Sequence, residues 1–384
     1  MKCPHCLADL RYRERGGRIC PKCQRRFAIE PRANDFKLSD LKLRGLAERL
    51  SRQGKYAYSS AQLGHFLALR EMKSVYKKQY PWPHGSLLFR LSTRYPARYW
   101  LSALLFFFIC VVVIFYGIFI LSTSSILSIL FMCVLSILII WMLSRLFLPG
   151  KSVDISSFES KFIKPWESIH GPLPGRIDAN ATRQALERWT PTEPIRALVV
   201  SSIEDVHLCL FANGLPQRLG LGLVNPDHPV SPSQARWIEQ AQRDPRLPIV
   251  FLHDASVAGC LLRYLVSAQW GLTPDHRIID VGLRPNDARD RQLPWTYVKT
   301  PPALKQFFDR LASQPDTLDL ERDEIEWLRA DATASVLYLP PAQLLRLVTQ
   351  AVAQHAPQVV DPEAEAQAQA RAVGFMTWPQ PVAR

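Results

Sequence analysis

Ionisable side chains are missing from one long stretch of the chain. No Asp, Glu, Lys, Arg or His occurs between Tyr99 and Ser144. Proton relays and ion pathways depend on ionisable groups, so this absence argues against an ion-conducting or proton-relaying role for the stretch. Its 46 consecutive uncharged, mostly apolar residues instead predict membrane-spanning helices.

Acidic residues are scarce in the first 98 residues, which hold 7 Asp and Glu against 22 Lys and Arg. The rest of the 384-residue chain holds 27 and 25, so the excess behind the formal net charge of +13 lies in this segment. Such an excess favours anionic partners, either membrane lipid headgroups or nucleic acid bound through residues 1–98.

Cysteine is also sparse, with eight in the chain, and the length of 384 residues excludes a disulfide-stapled mini-protein. Four of the eight form the pattern C-x2-C-x13-C-x2-C: Cys3, Cys6, Cys20 and Cys23. Four thiolates in two such pairs are typical of tetrahedral zinc. Two disulfides or a redox C-x-x-C pair are the alternatives. The pattern resembles the zinc ribbons of many bacterial proteins, and this resemblance implies a structural Zn2+ with residues 1–30 as the ribbon.

A basic helical segment is predicted over residues 31–98. Its first helix covers Asp40–Arg52, with Ser39 as a candidate N-cap. Ser59 and Gln62 have the form of a capping box, and a second helix runs from there to about Lys77. The two helices are expected to be a small spacer, and a DNA-reading helix-turn-helix is the alternative.

A two-helix transmembrane hairpin is predicted over residues 99–148, with a buried pair of soluble helices as the alternative. Basic residues flank its outer ends and not its turn. The positive-inside rule therefore predicts a multi-pass protein of the cell inner membrane with both termini in the cytoplasm.

The remaining chain is divided by composition. Residues 149–192 are predicted to be a linker, and residues 356–384 a disordered tail. Between them, residues 193–355 alternate short apolar runs with amphipathic stretches. This alternation predicts a mostly parallel, Rossmann-like α/β domain, including a late strand over Ser335–Leu339. The expected fold class is therefore a multidomain membrane protein with a cytoplasmic α/β domain.

Polar runs follow two predicted strands of this domain, at residues 201–205 and 253–259. The second run contains Asp254 and Gly259 and resembles the D-x-D-x-x-G motif of the Toprim domain of type VI topoisomerase A subunits. The resemblance implies a Mg2+ site for phosphodiester cleavage. Ser201 and Ser256 stand where that family has two of its acidic ligands, so the domain is expected to be catalytically degenerate.

If the domain were active, the sequence offers three catalytic candidates: Asp254, Glu204 and Asp205. The simpler interpretation is that Asp254 and Ser202 cap helices. The favoured hypothesis is a non-enzymatic inner-membrane scaffold or sensor. It would act in a multi-protein complex, for example one for bacterial defence, together with protein partners or further copies of itself. The alternatives are a membrane-tethered Mg2+-dependent nuclease and a pore-forming effector.

Overall fold

The computed structural model describes residues 1–34, 36–79, 155–191, 194–314 and 317–355. The predicted hairpin over residues 99–148 and the predicted tail over residues 356–384 lie outside these described residues.

The N-terminal part consists of a cysteine unit, defined here as residues 1–34, followed by helices. The cysteine unit is built from turns, with short 3-10 helices at Tyr12–Glu14, Gly16–Arg18 and Pro31–Ala33. Helix α1 spans Asp40–Leu50 and helix α2 spans Ser60–Gln79.

The predicted cap forms at the N-terminus of α2 but not at that of α1. At α2 the capping box is present, because the Gln62 N–H donates to Ser59 Oγ at 3.2 Å and the Ser59 N–H donates to Gln62 Oε1 at 2.9 Å. At α1, Ser39 occupies the N-cap but its side chain makes no capping hydrogen bond.

Residues 155–191 fall in the predicted linker, yet they form helices that join a core. Helix α3 (Ile155–Phe158), a π-helical stretch (Glu159–Ile163) and helix α4 (Lys164–His170) follow one another directly, and helix α5 spans Ala179–Arg188. Their large apolar side chains pack against α1 and α2. The buried members of this helical core include Leu43, Leu46, Leu63, Leu67, Phe158, Ile163 and Trp166.

The second part is an α/β domain around a four-stranded parallel sheet. Its strands are β1 (Ala197–Val200), β2 (Leu221–Val224), β3 (Ile249–Phe251) and β4 (Ile278–Asp280), in the order β2-β1-β3-β4. Strand β1 is fully buried, as expected for a parallel sheet covered on both faces. Val199 faces one apolar core and Leu198 and Val200 face the other. The expectation of a parallel α/β sheet is therefore confirmed.

Helices connect and cover the strands: α6 (Glu204–Ala212), α7 (Leu215–Leu219), α8 (Pro232–Arg243), α9 (Val257–Trp270) and α10 (Pro285–Asp290). Beyond them lie β5 (Thr296–Tyr297), α11 (Pro302–Ala312), α12 (Arg322–Arg329), β6 (Ala332–Thr333) and α13 (Pro341–His355). Strands β5 and β6 form a separate antiparallel pair. The strand predicted over Ser335–Leu339 is wrong, because Val336–Tyr338 is a buried 3-10 helix.

The helical part and the α/β domain are joined by specific hydrogen bonds. Asn213, just after α6, accepts from the Ala57 N–H at 2.9 Å and donates to the Ala57 carbonyl at 2.9 Å. Gln62 on α2 donates to the sulfur of Cys209 on α6. These hydrogen bonds fix the N-terminus of α2 against α6 of the α/β domain.

His65 on α2 occupies the same junction without a partner for one ring nitrogen. Its ring meets Tyr338 edge-on with centroids 4.6 Å apart, and its buried Nδ1 atom has no hydrogen-bond partner among the described residues. Burial lowers the pKa of His65 from 6.5 to about 4. The side chain is therefore held neutral at an energetic cost.

We expect His65→Phe to stabilise the fold by about 1 kcal/mol at neutral pH, because it removes a buried nitrogen that lacks a partner. The gain should grow as the pH falls from 6.5 toward 4, because in this range the unfolded chain protonates His65 and the folded chain does not. Urea unfolding of both proteins across this range measures the effect. A gain that stays constant with pH would show that His65 is not held neutral.

The expected membrane fold needs correction. Among the described ranges, which leave out residues 80–154 and 356–384, no helix is both long enough and apolar enough to cross a bilayer. Helix α2 has 20 residues, a sufficient length, but carries charged side chains such as Arg70, Glu71 and Lys73. The predicted multi-pass membrane fold, inner-membrane localisation and topology are corrected accordingly, because the described residues support none of them.

Candidate functional site

The four N-terminal cysteines come from two turns with matching hydrogen bonds. The Cys3 N–H donates to the Ala8 carbonyl at 2.9 Å, and the Cys20 N–H donates to the Arg25 carbonyl at 3.0 Å. The residues after the second cysteine of each pair, Leu7 and Gln24, have φ of 59° and 55°. This shared left-handed conformation turns both chain segments back around the sulfurs.

The sulfur atoms of Cys3, Cys6, Cys20 and Cys23 lie within 4.8 Å of one another. Cys3 Sγ is 3.7 Å from Cys23 Sγ, and Cys6 Sγ is 3.8 Å from Cys20 Sγ. Ligands at 2.3 Å from a tetrahedral zinc would be about 3.8 Å apart. A disulfide needs about 2.05 Å, and all four cysteines are free thiols. The tetrad can hold a metal ion, and its geometry is compatible with zinc.

Backbone N–H groups prepare the cluster for negative charge. The His5 N–H points to Cys3 Sγ at 3.4 Å. Burial raises the pKa of Cys3 to about 11, whereas at Cys20 the backbone N–H groups of Cys23 and Lys22 outweigh burial and lower the pKa to about 7. Such donors stabilise the thiolate form that binds metals. Four thiolates leave no open coordination position, so the arrangement suits a structural ion.

Asp40 attaches the cysteine unit to the helices. Its buried carboxylate accepts the N–H groups of Ala28 and Ile29, both at 2.8 Å, and lies 2.6 Å from Nε2 of His170 on α4. The His170 ring in turn lies 5.1 Å from the ring of His5. One carboxylate thus connects the end of the cysteine unit, α1 and α4.

The three catalytic candidates of the α/β domain have separate partners. Glu204, at the start of α6, forms an ion pair with Arg183 on α5. Asp205 accepts a hydrogen bond from Ser59, the N-cap residue of α2. Asp254 follows β3 and contacts neither. In the part of the chain that the structure describes, the cysteine tetrad can hold a metal ion. Among the same residues, Glu204, Asp205 and Asp254 do not come together as a second metal site.

Asp254 does not cap α9, which corrects the sequence-based expectation. Ser256 is the N-cap, and its hydroxyl accepts from the Gly259 N–H at 3.0 Å. Asp254 Oδ1 instead accepts from the Val336 N–H at 2.6 Å and the Ser335 hydroxyl at 3.1 Å. The carboxylate therefore ties the loop after β3 to the start of the late 3-10 helix.

Ser202 also makes no helix cap. The N-cap position of α6 is Ile203, and its N–H donates to the hydroxyl of the fully buried Ser201 at 3.2 Å. The Ser201 carbonyl lies 3.0 Å from Nε2 of the buried His207. Ser201, which stands where the Toprim motif has a carboxylate, is thus engaged in local structure.

A His–Asp pair at the ends of β3 and β4 was not expected from the sequence. His253 Nε2 lies 3.0 Å from Asp280 Oδ1, and His253 Nδ1 lies 2.8 Å from the Asp254 carbonyl. Both ring nitrogens face oxygen acceptors, so the geometry favours a proton on each and makes the buried His253 the cation of an ion pair with the partly exposed Asp280.

The pKa directions agree with that assignment. Burial alone would lower the pKa of His253, but the hydrogen bond and charge of Asp280 outweigh it and raise the pKa. Burial alone would raise the pKa of Asp280, but His253 lowers it. The backbone at Gly282 lies close against the His253 ring, because a Cβ added at Gly282 would be 2.2 Å from that ring. The signal available in the sequence was a polar residue at the end of each of two successive strands.

Compared with known proteins, the chain matches no protein-family model and no curated protein.

Proposed function

We propose that the cysteine tetrad holds one structural zinc ion. The sulfur spacing, the paired turns and the N–H donors support zinc over a disulfide or redox role. The part of the cysteine unit around the sulfurs has little else to stabilise it, since its own core consists of Leu10 and the buried Cys3 and Cys20, with Met1 and Cys23 packed against them, while Ala28 and Ile29 belong to the helical core. Zinc would supply the folding free energy that so few apolar contacts cannot.

We propose further that the protein is a non-catalytic scaffold or sensor that presents a zinc ribbon beside a degenerate, Toprim-like α/β domain. The observation that carries this proposal is the use of the Asp254 carboxylate as a structural acceptor for Val336 and Ser335. A Mg2+ site needs several oxygen ligands around one point. Glu204 and Asp205 are bonded elsewhere, which favours a binding role over phosphodiester cleavage.

Contacts between the two parts support the scaffold proposal. Ala57, just before α2, bonds to Asn213, and Gln62 on α2 bonds to Cys209 of the α/β domain. The apolar face of α2 joins the helical core near the cysteine unit. A partner bound to one part would therefore be held in a fixed place relative to the other. The partners would be proteins or further copies of the chain.

We expect Asp254→Asn to leave stability and biological activity nearly unchanged, because the amide oxygen can still accept both hydrogen bonds. Asp254→Ala should cost about 1–3 kcal/mol, because it leaves the Val336 N–H and the Ser335 hydroxyl without their acceptor. Chemical denaturation of the two variants beside the parent protein measures the difference.

A plasmid-nicking assay with Mg2+ or Mn2+ separates the scaffold from the nuclease alternative. The scaffold proposal predicts no divalent-dependent nicking by the purified protein. Nicking that Asp254→Asn abolishes, in a variant that unfolds like the parent, would replace the scaffold with a nuclease.

A further inference from the structure

A cavity of about 270 Å³ opens beside the carboxyl ends of β3 and β4. The His253–Asp280 pair lines it, and its apolar wall includes Leu283, Leu318, Leu339 and Leu347. Ligands of open parallel sheets bind outside the carboxyl ends of the strands, which is where this cavity lies. Its volume is slightly below the range of about 300–1,000 Å³ typical of ligand pockets, which limits the occupant to a compact molecule.

The carboxylates along the cavity are already engaged. Asp280 pairs with His253, and Asp319 pairs with Arg284 at 3.4 Å. Arg284 also donates to the fully buried Glu324 at 2.7 Å. Asp287 accepts from the backbone N–H of Arg284 at the start of α10. Each of these four carboxylates therefore has an ion-pair or hydrogen-bond partner, and none forms an ion pair with Arg263 or Arg291 among the described residues.

Two further arginines line the cavity and form no ion pair with a carboxylate among the described residues, although the charge of Arg263 contributes to the lowered pKa of Asp280. Arg263 on α9 contacts the ring and hydroxyl of its neighbour Tyr264. Arg291, just after α10, makes a long hydrogen bond of 3.5 Å to Gln343. A guanidinium has five N–H donors, so both side chains keep donors for an anionic group.

We propose that this cavity binds a compact organic anion. Its phosphate or carboxylate group would interact with Arg263 and Arg291, and its apolar body would pack against the leucine wall. An organic body would cover the apolar surface that remains open on that wall, whereas an inorganic anion would leave that surface exposed. The site deepens the proposed sensor role by naming its ligand class. It does not depend on a metal in the cysteine tetrad.

Isothermal titration of the full chain with phenyl phosphate, benzoate and inorganic phosphate tests this site. Phenyl phosphate or benzoate should bind saturably at millimolar or lower concentration, and inorganic phosphate should bind at least about tenfold more weakly. The tighter of the two organic probes identifies the anionic group that the arginines prefer. Failure of both organic probes to bind would overturn the proposal.

Matched variants locate the binding. Arg263→Gln and Arg291→Gln should each weaken the tighter probe by about tenfold or more, since each removes charge-assisted hydrogen bonds. Arg246→Gln removes the same charge from an exposed turn outside the cavity and should leave the affinity unchanged. Equal affinity in all three variants would contradict the site, provided that their thermal melting matches the parent. Unchanged affinity of Cys20→Ser for the same probe would show that this site does not depend on the proposed zinc.

Discussion

Replacing Cys20 by Ser should abolish metal binding and unfold the cysteine unit while leaving the α/β domain folded. Structural zinc contributes about 10–16 kcal/mol in zinc-finger peptides, and the small core around Leu10 cannot compensate for such a loss. Unfolding should end near Ala28 and Ile29, because Asp40 binds both N–H groups and both side chains pack into the helical core.

Hydrogen exchange read by mass spectrometry follows this boundary. Amides before Phe27 should lose protection in the variant, whereas those of α1, α2 and the parallel sheet should keep it. Cys260→Ser is the matched control, because Cys260 is a buried thiol outside the tetrad and should leave zinc and the cysteine unit intact. Full protection of residues 1–27 in Cys20→Ser would mean that the unit folds without its metal.

Replacing His253 by Ala should destabilise the α/β domain by about 3 kcal/mol. Removing one member of a buried ion pair usually costs about 3–5 kcal/mol, and the lower end applies because the Asp280 side chain is 29% exposed and can be partly hydrated. A double-mutant cycle with Asp280→Ala should give a coupling of about 1–3 kcal/mol. The exposed His228→Ala is the control and should change stability little.

The coupling should also depend on pH in a defined direction. The raised pKa of His253 means that its contribution is complete below 6.5 and is lost as the pH rises through the folded-state value. The lowered pKa of Asp280 means that its contribution is complete above 3.8 and is lost as the pH falls through the folded-state value. The coupling should therefore be largest between pH 3.8 and 6.5. A coupling that increases above pH 6.5 would show that His253 is neutral in the folded protein.

Local patterns explain what the sequence could predict. The spacing of the cysteine pairs and the capping box of Ser59 and Gln62 are each completed within a short segment, and the structure forms both. The parallel sheet follows from repeated short apolar runs separated by helices. These features need no knowledge of how distant segments meet.

Long-range contacts explain what the sequence could not predict. The position of Asp254 just before α9 predicts a helix cap, but its carboxylate accepts a hydrogen bond from the N–H of Val336, 82 residues later in the chain. His253 and Asp280 are 27 residues apart and meet because β3 and β4 are neighbours in the sheet. Residues 155–170 read as a polar linker, yet Phe158, Phe162 and Trp166 recur at helical spacing and pack into a core.

Zinc content per chain, measured on freshly purified, reduced protein, is the sharpest test of the structural zinc site. We expect one zinc per chain in the parent, the same content in Asp254→Asn, and none in Cys20→Ser. Less than half an equivalent in the parent would contradict a structural zinc ribbon. Metal that persists in Cys20→Ser but disappears in Asp254→Asn would contradict the scaffold and place the metal chemistry in the α/β domain.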